Sequence, residues 1–184
     1  MSLTLDFHTG HLQGASLLTK DVRLRDLTHI FLHESARLKM DSETLVYQVQ
    51  VFQAVSEGTE GGLFWGTTTI QPGMVGDEYF MTRGHCHAKL NRSEFYLTLR
   101  GEGALLLMSG DRQVRSEPMC AGTLHNIPGE TAHRVANTGV EELIFTACWP
   151  SDAGHDYESI ARNGFTARMR LVTGKPMLIE EPKS

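Results

Sequence analysis

A His-x-His pair followed closely by a Glu-x-Tyr pair is the part of the sequence best suited to chemistry. His85 and His87 are two residues apart, and so are Glu94 and Tyr96. On a β-strand, side chains two residues apart lie on the same face. If the two strands pair, two imidazoles and one carboxylate converge on one point. These donors suit a first-row divalent metal that keeps positions open for water or substrate.

A fourth donor, His133, lies in a second patterned segment. Five residues separate Gly122 from Pro128, four separate Pro128 from His133, and three separate His133 from Asn137. This frame resembles the second conserved motif of the cupin superfamily, and the segment 85–101 resembles the first. Cupins are β-barrels that hold a metal inside through three histidines and one glutamate.

The resemblance to cupins implies that the metal ligands are His85, His87, Glu94 and His133. Two features depart from the general cupin pattern. The gap of six residues between His87 and Glu94 is longer, and Gly129 comes one place earlier than expected. The competing interpretation is that these are structural histidines with satisfied hydrogen bonds. A His-x-His pair alone favours that interpretation, but Glu94 and the second frame together favour a metal site.

The other histidines and the cysteines lack such a context. We expect five histidines to be structural or solvated: His8, His11, His29, His33 and His125. Cys86 lies between two ligands, so its side chain should point to the opposite face and pack there. An odd count of three cysteines, with no signal peptide in view, indicates reduced thiols in the cytoplasm.

Two longer segments resemble one family in particular, the cupin-type glucose-6-phosphate isomerases first known from archaea. The first is Thr82–Leu90 followed by Glu94–Tyr96. The second is Trp149–Tyr157, with the sequence Trp-Pro-Ser-Asp-Ala-Gly-His-Asp-Tyr. Residues 6–15 also resemble that family's N-terminal arm. The similarity therefore covers most of the chain, from about residue 6 to residue 165.

The family resemblance implies a phosphate pocket built from hydroxyls and backbone, here Thr68, Thr82 and Gly84. Hydroxyls and a glycine N–H can bind phosphate oxygens without bulky neighbours. Arg83 or Lys89 would supply the opposing charge. Without the resemblance, ordinary strand propensity would account for the threonines.

The resemblance also implies that aromatic and imidazole side chains line a sugar site: Tyr47, Tyr96, His155 and Tyr157. All of these except Tyr47 join Glu94 as the expected catalytic groups. Trp149 stands where the family commonly has tyrosine. Tryptophan carries a donor but no ionisable hydroxyl, so we expect Trp149 to contact the sugar.

Short strands must position these groups. The sequence predicts strands at Thr44–Ala54, Leu63–Gln71, Glu78–Thr82, Glu94–Arg100, Ala104–Met108, Thr123–Ile127, Arg134–Ala136 and Glu142–Trp149. Gly101-Glu102-Gly103 indicates a hairpin-like break. Many short strands favour a sandwich or barrel. The resemblance implies an all-β cupin fold, a double-stranded β-helix or jelly-roll barrel with an N-terminal arm and minor short helices.

We expect a single cupin domain over residues 1–184. Its parts are an N-terminal arm (1–43), a barrel core (44–150) and a C-terminal extension (151–184). The arm should hold a short helical stretch around Asp26–Lys39.

The C-terminal extension predicts three elements. Asp156–Arg162 indicates a short helix that ends at Gly164. Phe165–Val172 indicates a strand. The last dozen residues indicate a loosely held tail.

The composition excludes some classes of protein. Lys+Arg number 17 and Asp+Glu 22, so the formal net charge of -5 argues against nucleic acid or an anionic membrane as the main partner. The hydrophobic content of 40% is too high for a disordered chain. No apolar run approaches the roughly 18 residues of a membrane span.

We therefore expect a metal-dependent aldose–ketose isomerase that interconverts glucose 6-phosphate and fructose 6-phosphate in glycolysis or gluconeogenesis. It should be a cytoplasmic homodimer with one divalent metal per subunit, Fe(II) first, with Mn(II), Ni(II) or Zn(II) as alternatives. Competing interpretations are a cupin oxygenase or decarboxylase of a small acid, and a non-catalytic sugar-phosphate sensor. Glu94 could act as base in a cis-enediol route, or remain a ligand during a direct hydride shift. Mannose 6-phosphate is a second candidate substrate.

Overall fold

Short antiparallel strands make up just under half of the chain and are its main regular structure. The computed structural model describes residues 2–14 and 16–181, so Ala15 of the N-terminal motif lies outside the described residues. The strands are β1 (Thr4–Leu5), β2 (Leu12–Gln13), β3 (Leu17–Arg23), β4 (Leu45–Gln53), β5 (Leu63–Ile70), β6 (Met74–Val75), β7 (Glu78–Tyr79), β8 (Glu94–Arg100), β9 (Glu102–Met108), β10 (Val114–Cys120), β11 (Leu124–Ile127), β12 (Ala132–Asn137), β13 (Leu143–Pro150), β14 (Ala167–Val172) and β15 (Lys175–Glu180). The helices are a 3₁₀ helix (Leu24–Leu27), α1 (Glu34–Arg37) and α2 (Glu158–Asn163). None of the described helices is long and apolar enough to cross a membrane.

Six strands form the larger sheet, in the order β11-β8-β13-β5-β4-β3. All neighbouring pairs are antiparallel. Phe145 on β13 shows the register, because it lies opposite Thr68 on β5 and Thr98 on β8. β3 pairs with β4 along its whole length and forms one edge of the sheet. Part of the segment expected to be an arm is therefore a strand of the main sheet.

A second sheet, β10-β9-β12, lies across the core from the first. The chain between residues 80 and 87 continues this sheet, since Met81 bridges to Ala136 and His85 to His133 on β12. A further small sheet, β15-β14-β7-β6, adds Met169 to the same apolar cluster. The arrangement confirms the prediction of an all-β cupin barrel.

The core is densest along β9. Leu105, Leu106 and Leu107 are each exposed by 1% or less. Consecutive strand residues point to opposite faces, so burial of all three means that β9 is covered on both sides. Each buried leucine contributes about 1.5–3 kcal/mol to the free energy of folding. This core fixes the distance between the two sheets that carry the candidate site.

Most predicted strands are confirmed to within two residues at either end. The exception is the strand predicted at Glu78–Thr82, of which only Glu78–Tyr79 is a strand. The predicted helix in the C-terminal extension is confirmed as α2, and Gly164 caps it with φ 62°.

Two predictions for the chain ends are wrong, and the strand β10 was not predicted at all. The helical stretch around Asp26–Lys39 is wrong, because the chain forms two separate single turns there. The loose C-terminal tail is wrong for Lys175–Glu180, which pairs with β14. β10 was not predicted, because its sequence Val-Arg-Ser-Glu-Pro-Met-Cys carries charges and a proline. Such residues are typical of an edge strand, which β10 is.

The predicted hairpin at Gly101 is also wrong. β8 belongs to the larger sheet and β9 to the smaller one, so the chain turns a corner between sheets. Gly101 has φ 83°, and an added Cβ would lie 2.3 Å from the carbonyl oxygen of Glu142. Both the backbone conformation and the close approach therefore require glycine at this corner.

We predict that Gly101→Ala lowers the free energy of unfolding by roughly 2 kcal/mol or more, through backbone strain and the clash with Glu142. Urea denaturation measures the change. The matched control is Gly110→Ala, since no atom lies within 4 Å of its added Cβ. It should stay within about 0.5 kcal/mol of the parent. Equal losses in the two variants would contradict the role assigned to Gly101.

Candidate metal centre

Both sheets contribute to the predicted ligand group. Glu94 begins β8 in the larger sheet, and His133 lies on β12 in the smaller one. His85 and His87 lie on the segment that bridges to β12. The sequence analysis considered a pairing of that segment with β8, but the two do not pair. Instead, the carboxylate meets the imidazoles from the opposite sheet.

The four ligand atoms lie close together and are well shielded from solvent. One atom from each of the residues His85, His87, Glu94 and His133 lies within 4.8 Å of the other three. His133 Nε2 is 2.5 Å from Glu94 Oε1, and His87 Nε2 is 3.5 Å from the same oxygen. The side chains of Glu94, His87 and His133 are at most 4% exposed.

Two backbone carbonyls set the tautomers of these histidines. His87 Nδ1 lies 2.8 Å from the Arg92 carbonyl oxygen, and His133 Nδ1 lies 3.2 Å from the Thr131 carbonyl oxygen. A carbonyl oxygen can only accept, so Nδ1 must donate in both rings. In the neutral rings, Nε2 therefore presents a lone pair toward Glu94.

The ligand atoms have no other partner. Four buried atoms of the ligand group have no hydrogen-bond partner among the described residues. They are the Nε2 atoms of the three histidines and Glu94 Oε1. A buried polar atom left unpaired costs about 1–3 kcal/mol, and here four such atoms meet. A divalent cation would satisfy all four. Three imidazoles and one carboxylate suit Fe(II), Mn(II), Ni(II) or Zn(II), so the residues fit a metal.

The electrostatics of Glu94 and His85 favour the protonation states that bind a metal, whereas the contact of His87 with Glu94 raises the pKa of His87 against the effect of its burial. Burial alone would raise the pKa of Glu94, but the neighbouring imidazoles, His133 first, lower it below its ordinary value. Burial, followed by the nearby His133 and His155, lowers the pKa of His85 well below its ordinary value. Glu94 is therefore ionised and His85 neutral near pH 7.

A cavity of about 320 Å³ opens beside the ligand group. This volume lies at the lower end of the range for small-molecule sites. His85, Glu94 and His133 form part of its wall. The wall also includes every residue predicted to contact substrate or move protons: Tyr47, Thr68, Thr82, Arg83, Gly84, Tyr96, Trp149, His155 and Tyr157. Of the four predicted metal ligands, His87 is the one that does not line it.

His155 and Tyr157 bring a stacked ring pair to the ligands. Their ring centroids are 5.7 Å apart with an interplanar angle of 8°, and the His155 ring lies 4.5 Å from that of His85. Burial lowers the pKa of His155 and raises that of Tyr157, so both are neutral near pH 7. Burial also raises the pKa of Tyr96 well above its ordinary value. Tyr96, His155 and Tyr157 are therefore neutral groups of the cavity wall near pH 7.

The predicted phosphate loop, Thr82–Gly84, lines the cavity, and the Arg83 guanidinium donates to the Asp26 carbonyl oxygen. Thr82 Oγ1 accepts the Val135 N–H at 3.1 Å, which leaves its own hydroxyl proton free to be donated. Gly84 has φ 79°, and an added Cβ would lie 2.9 Å from the Phe165 ring. The Arg83 guanidinium lies 5.9 Å from the centre of the Tyr157 ring.

The two candidate cations of the sequence prediction have different surroundings. Arg83 lines the cavity, whereas Lys89 is not among the wall residues and pairs with Asp152 at 2.8 Å. Sequence reasoning missed Lys20, which lines the cavity from β3. Nothing in the local pattern indicates Lys20, because β3 itself was not predicted as a strand.

Arg134 is a second residue that the sequence analysis missed. It is 2% exposed, donates to the Arg83 carbonyl oxygen at 2.7 Å, and lies 4.5 Å over the Phe165 ring. Burial lowers the pKa of Arg134 to about 10, which leaves it charged at pH 7. It supports the Thr82–Gly84 loop from behind. Its position next to His133 in the sequence is the only signal that could have indicated it.

The two departures from the general cupin pattern are the longer loop before Glu94 and the early position of Gly129. In the structure they contact each other. An added Cβ at Gly129 would lie 2.6 Å from the Leu90 carbonyl oxygen. The Gly129 N–H also donates to Ser93 Oγ at 3.2 Å. The longer loop therefore packs against the loop that leads to His133, and a glycine at position 129 is needed for that contact.

The remaining histidines and Cys86 lie outside the ligand group, as expected. His125 is buried between Glu117, 2.8 Å from its Nδ1, and Thr123, 3.0 Å from its Nε2. His33 faces Asp77 at 3.3 Å. Cys86 Sγ lies 3.5 Å from the Ser159 hydroxyl and does not line the cavity.

Known proteins resemble this chain over nearly its full length. Residues 21–180 match the family described as "Glucose-6-phosphate isomerase (GPI)". The glucose-6-phosphate isomerase of Thermococcus litoralis is 40% identical over 181 residues, which are 97% of this chain and 93% of that protein. The one from Sinorhizobium medicae is 39% identical over 91% of this chain and 78% of its own length. Among solved structures, oxalate decarboxylase from Bacillus subtilis gives a TM-score of 0.47 at 20% identity, covering 60% of this chain and 26% of that chain.

We predict that His85→Ala and His133→Ala abolish stoichiometric Zn(II) binding while the barrel stays folded, because β9 and its neighbours hold the core without the ligands. Calorimetric titration of the metal-free protein measures binding, and circular dichroism measures folding. The control is His8→Ala, an exposed position outside the ligand group. Global unfolding of the ligand variants would mean that the metal is needed for folding, contrary to this prediction.

Proposed function

The chain belongs to the glucose-6-phosphate isomerase family and interconverts glucose 6-phosphate and fructose 6-phosphate; we propose that the reaction takes place in the cavity beside the four metal ligands. One observation supports this location above all. Buried lone pairs of His85, His87, Glu94 and His133 converge without hydrogen-bond partners among the described residues, at the wall of a cavity of about 320 Å³. A sugar phosphate needs a site of this size and polarity.

Aldose–ketose isomerisation moves hydrogen between C1 and C2 and between O1 and O2. A bound divalent cation supplies polarisation of the carbonyl and acidifies the adjacent hydroxyl. His85, His87, Glu94 and His133 would hold it. They contribute three imidazole nitrogens and one ionised carboxylate, and the side chains of Glu94, His87 and His133 are at most 4% exposed.

Glu94 is the proposed base for the proton on C2. It is the one carboxylate among the described wall residues of the cavity. Its Oε1 faces the imidazoles. The second oxygen of the same carboxylate can take a proton. Coordination to a metal would lower the basicity of the Glu94 carboxylate, so Glu94 would be an effective base only when it is detached. The proton then returns to C1 on the same face through a cis-enediol.

Neutral donors are placed to move the proton between the two oxygens. Tyr96 and Tyr157 keep their hydroxyl protons near pH 7, and His155 can both donate and accept. We propose these three residues as the proton carriers. Trp149 and Tyr47 complete the wall, as contacts for the sugar.

The phosphate is proposed to lie at the Thr82–Gly84 loop. Thr82 has a free hydroxyl proton, and Thr68 lines the wall nearby. Arg83 and Lys20 place two cations on the same cavity. Charge-assisted contacts of this kind are roughly twice as strong as neutral ones, which favours a phosphorylated substrate over the free sugar.

We also propose that the whole chain is one cupin domain, that the metal is Fe(II), and that the protein is a cytoplasmic homodimer serving glycolysis or gluconeogenesis. The ligand set suits Fe(II), although it accepts Mn(II), Ni(II) and Zn(II) as well.

A second subunit would cover apolar side chains that are exposed in one chain, such as Phe7 at 66% and Leu18 at 57% in the N-terminal segment. Exposed apolar groups of this kind favour an interaction surface when they are contiguous.

We predict that metal-free protein has background activity in a coupled assay with fructose 6-phosphate, and that Fe(II), Mn(II), Ni(II) or Zn(II) restores turnover. The reason is that the four donors need a cation before the carbonyl can be polarised. Metal-loaded protein without any isomerisation would overturn the proposal. Binding without turnover would indicate a sugar-phosphate sensor, and oxygen consumption with a small acid would indicate a cupin oxygenase.

We predict that glucose 6-phosphate converted in D₂O gives fructose 6-phosphate with deuterium at C1, because a proton held on Glu94 exchanges with solvent before it returns. Mass spectrometry of the product measures the label. Glu94→Gln should lower kcat by about 10²–10⁴, as expected for loss of a general base. Glu180→Gln, an exposed position on β15, serves as the control. Unlabelled product under slow turnover would favour the hydride shift and overturn the role of Glu94 as base.

A further inference from the structure

Asp152 is a buried carboxylate outside the cavity wall. Its side chain is 2% exposed, yet it pairs with Lys89 at 2.8 Å and with Arg92 at 2.7 Å. Arg92 Nε meets one carboxylate oxygen at 3.0 Å and Nη2 meets the other. This two-point contact fixes the direction of the guanidinium as well as its position. Arg92, and then Lys89, hold the pKa of Asp152 below its ordinary value, so the carboxylate is ionised.

The ion pair lies where two site-bearing segments run side by side. The Lys89 N–H donates to the Ala153 carbonyl oxygen at 2.9 Å. An added Cβ at Gly154, which has φ 61°, would lie 2.9 Å from the Cβ of Ala88. The two backbones are therefore in direct contact, and the position of one segment limits that of the other.

Arg92 faces both the ion pair and the metal centre. Its side chain holds Asp152, while its backbone carbonyl accepts the Nδ1 proton of His87 at 2.8 Å. That bond directs His87 Nε2 toward Glu94 Oε1, 3.5 Å away. A metal-ligating histidine generally depends on such a second hydrogen bond for its tautomer and orientation.

The segment after Asp152 carries a residue of the cavity wall. His155 follows three positions later, and its ring lies 4.5 Å from that of His85. Asp152 thus anchors the segment that presents His155, and it also holds the loop that orients His87. One carboxylate connects the two sides of the site without touching the cavity.

We propose that Asp152 is a positioning residue that acts through Arg92: it holds the Arg92 carbonyl in place and so fixes the tautomer and direction of His87. Removal of the carboxylate leaves a partly buried guanidinium without its charged partner, held only by the longer bond from Nη1 to Asn91 Oδ1 at 3.3 Å among the described residues, and such a group moves to find solvent. The loop between His87 and Glu94 then loosens, and the His87 ring populates both tautomers. The consequence for metal affinity rests on the proposed function, whereas the consequence for the tautomer does not.

The experiment compares the full-length chain with Asp152→Asn and Arg92→Gln, singly and together. The ¹⁵N NMR spectrum of the metal-free protein reports the tautomer of His87, and it is recorded at a pH high enough to keep the imidazole neutral, because the contact with Glu94 raises the pKa of His87. Competition with a chromophoric chelator gives the Zn(II) affinity. Glu141→Gln is the matched control, because it breaks the exposed pair between Arg100 and Glu141, 2.8 Å apart, away from the site.

The parent and the control should show a single Nδ1–H tautomer of His87. Asp152→Asn should show a mixture, with Zn(II) affinity about 10- to 100-fold weaker. Because Asp152 acts through Arg92, the effects of the two substitutions should not add. The double variant should lose no more Zn(II) affinity than the single variant with the larger loss. If Asp152→Asn does not fold, Arg92→Gln gives the same readout from a side chain that is 27% exposed.

An unchanged His87 tautomer in folded Asp152→Asn or Arg92→Gln would overturn the proposal, whatever the change in overall stability. Additive losses in the double variant would also overturn it, since Asp152 would then act by another route. A parent protein that neither binds Zn(II) nor isomerises sugar phosphates would overturn the proposed function instead. The tautomer comparison in the metal-free chains would still decide the role of Asp152.

Discussion

Lone pairs of three imidazoles and a carboxylate face one another inside the barrel, with no donor proton of the described residues between them. Such an arrangement repels itself unless a cation lies at its centre. It persists because the backbone holds each group from outside. Carbonyl oxygens of Arg92 and Thr131 fix two rings, and the backbone pairing of His85 with His133 sets the place of the third residue in the chain. The remaining donor, Glu94, comes from the opposite sheet, so the site depends on how tightly the core holds the two sheets together.

The ligand group was accessible from the sequence because its signals are local. A His-x-His spacing, a following glutamate and the frame around His133 depend only on short-range order along strands. What the sequence did not indicate is which strands pair. β8 and β9 are consecutive and separated by Gly101, as in a hairpin, yet they belong to different sheets. Register between distant strands is set by the whole barrel, and no local pattern carries that information.

The residues missed by the sequence analysis share this non-local origin. Lys20 reaches the cavity only because β3 pairs with β4 at the edge of the larger sheet. Arg134 matters because its guanidinium meets the Arg83 carbonyl from an adjacent part of the smaller sheet. The two departures from the general cupin pattern also become one feature in space. The longer loop ahead of Glu94 and the displaced Gly129 contact each other, so a change in one requires the other.

The pairing of β3 with β4 has a consequence for any attempt to shorten the protein. A truncated chain that starts at the first obvious strand, near Thr44, would keep all four ligands but leave β4 as a bare edge. Its unsatisfied N–H and C=O groups would offer a template to other chains, which is a common route to aggregation. The same cut would remove the cavity wall on the Lys20 side. The smallest useful barrel therefore includes its N-terminal edge strand.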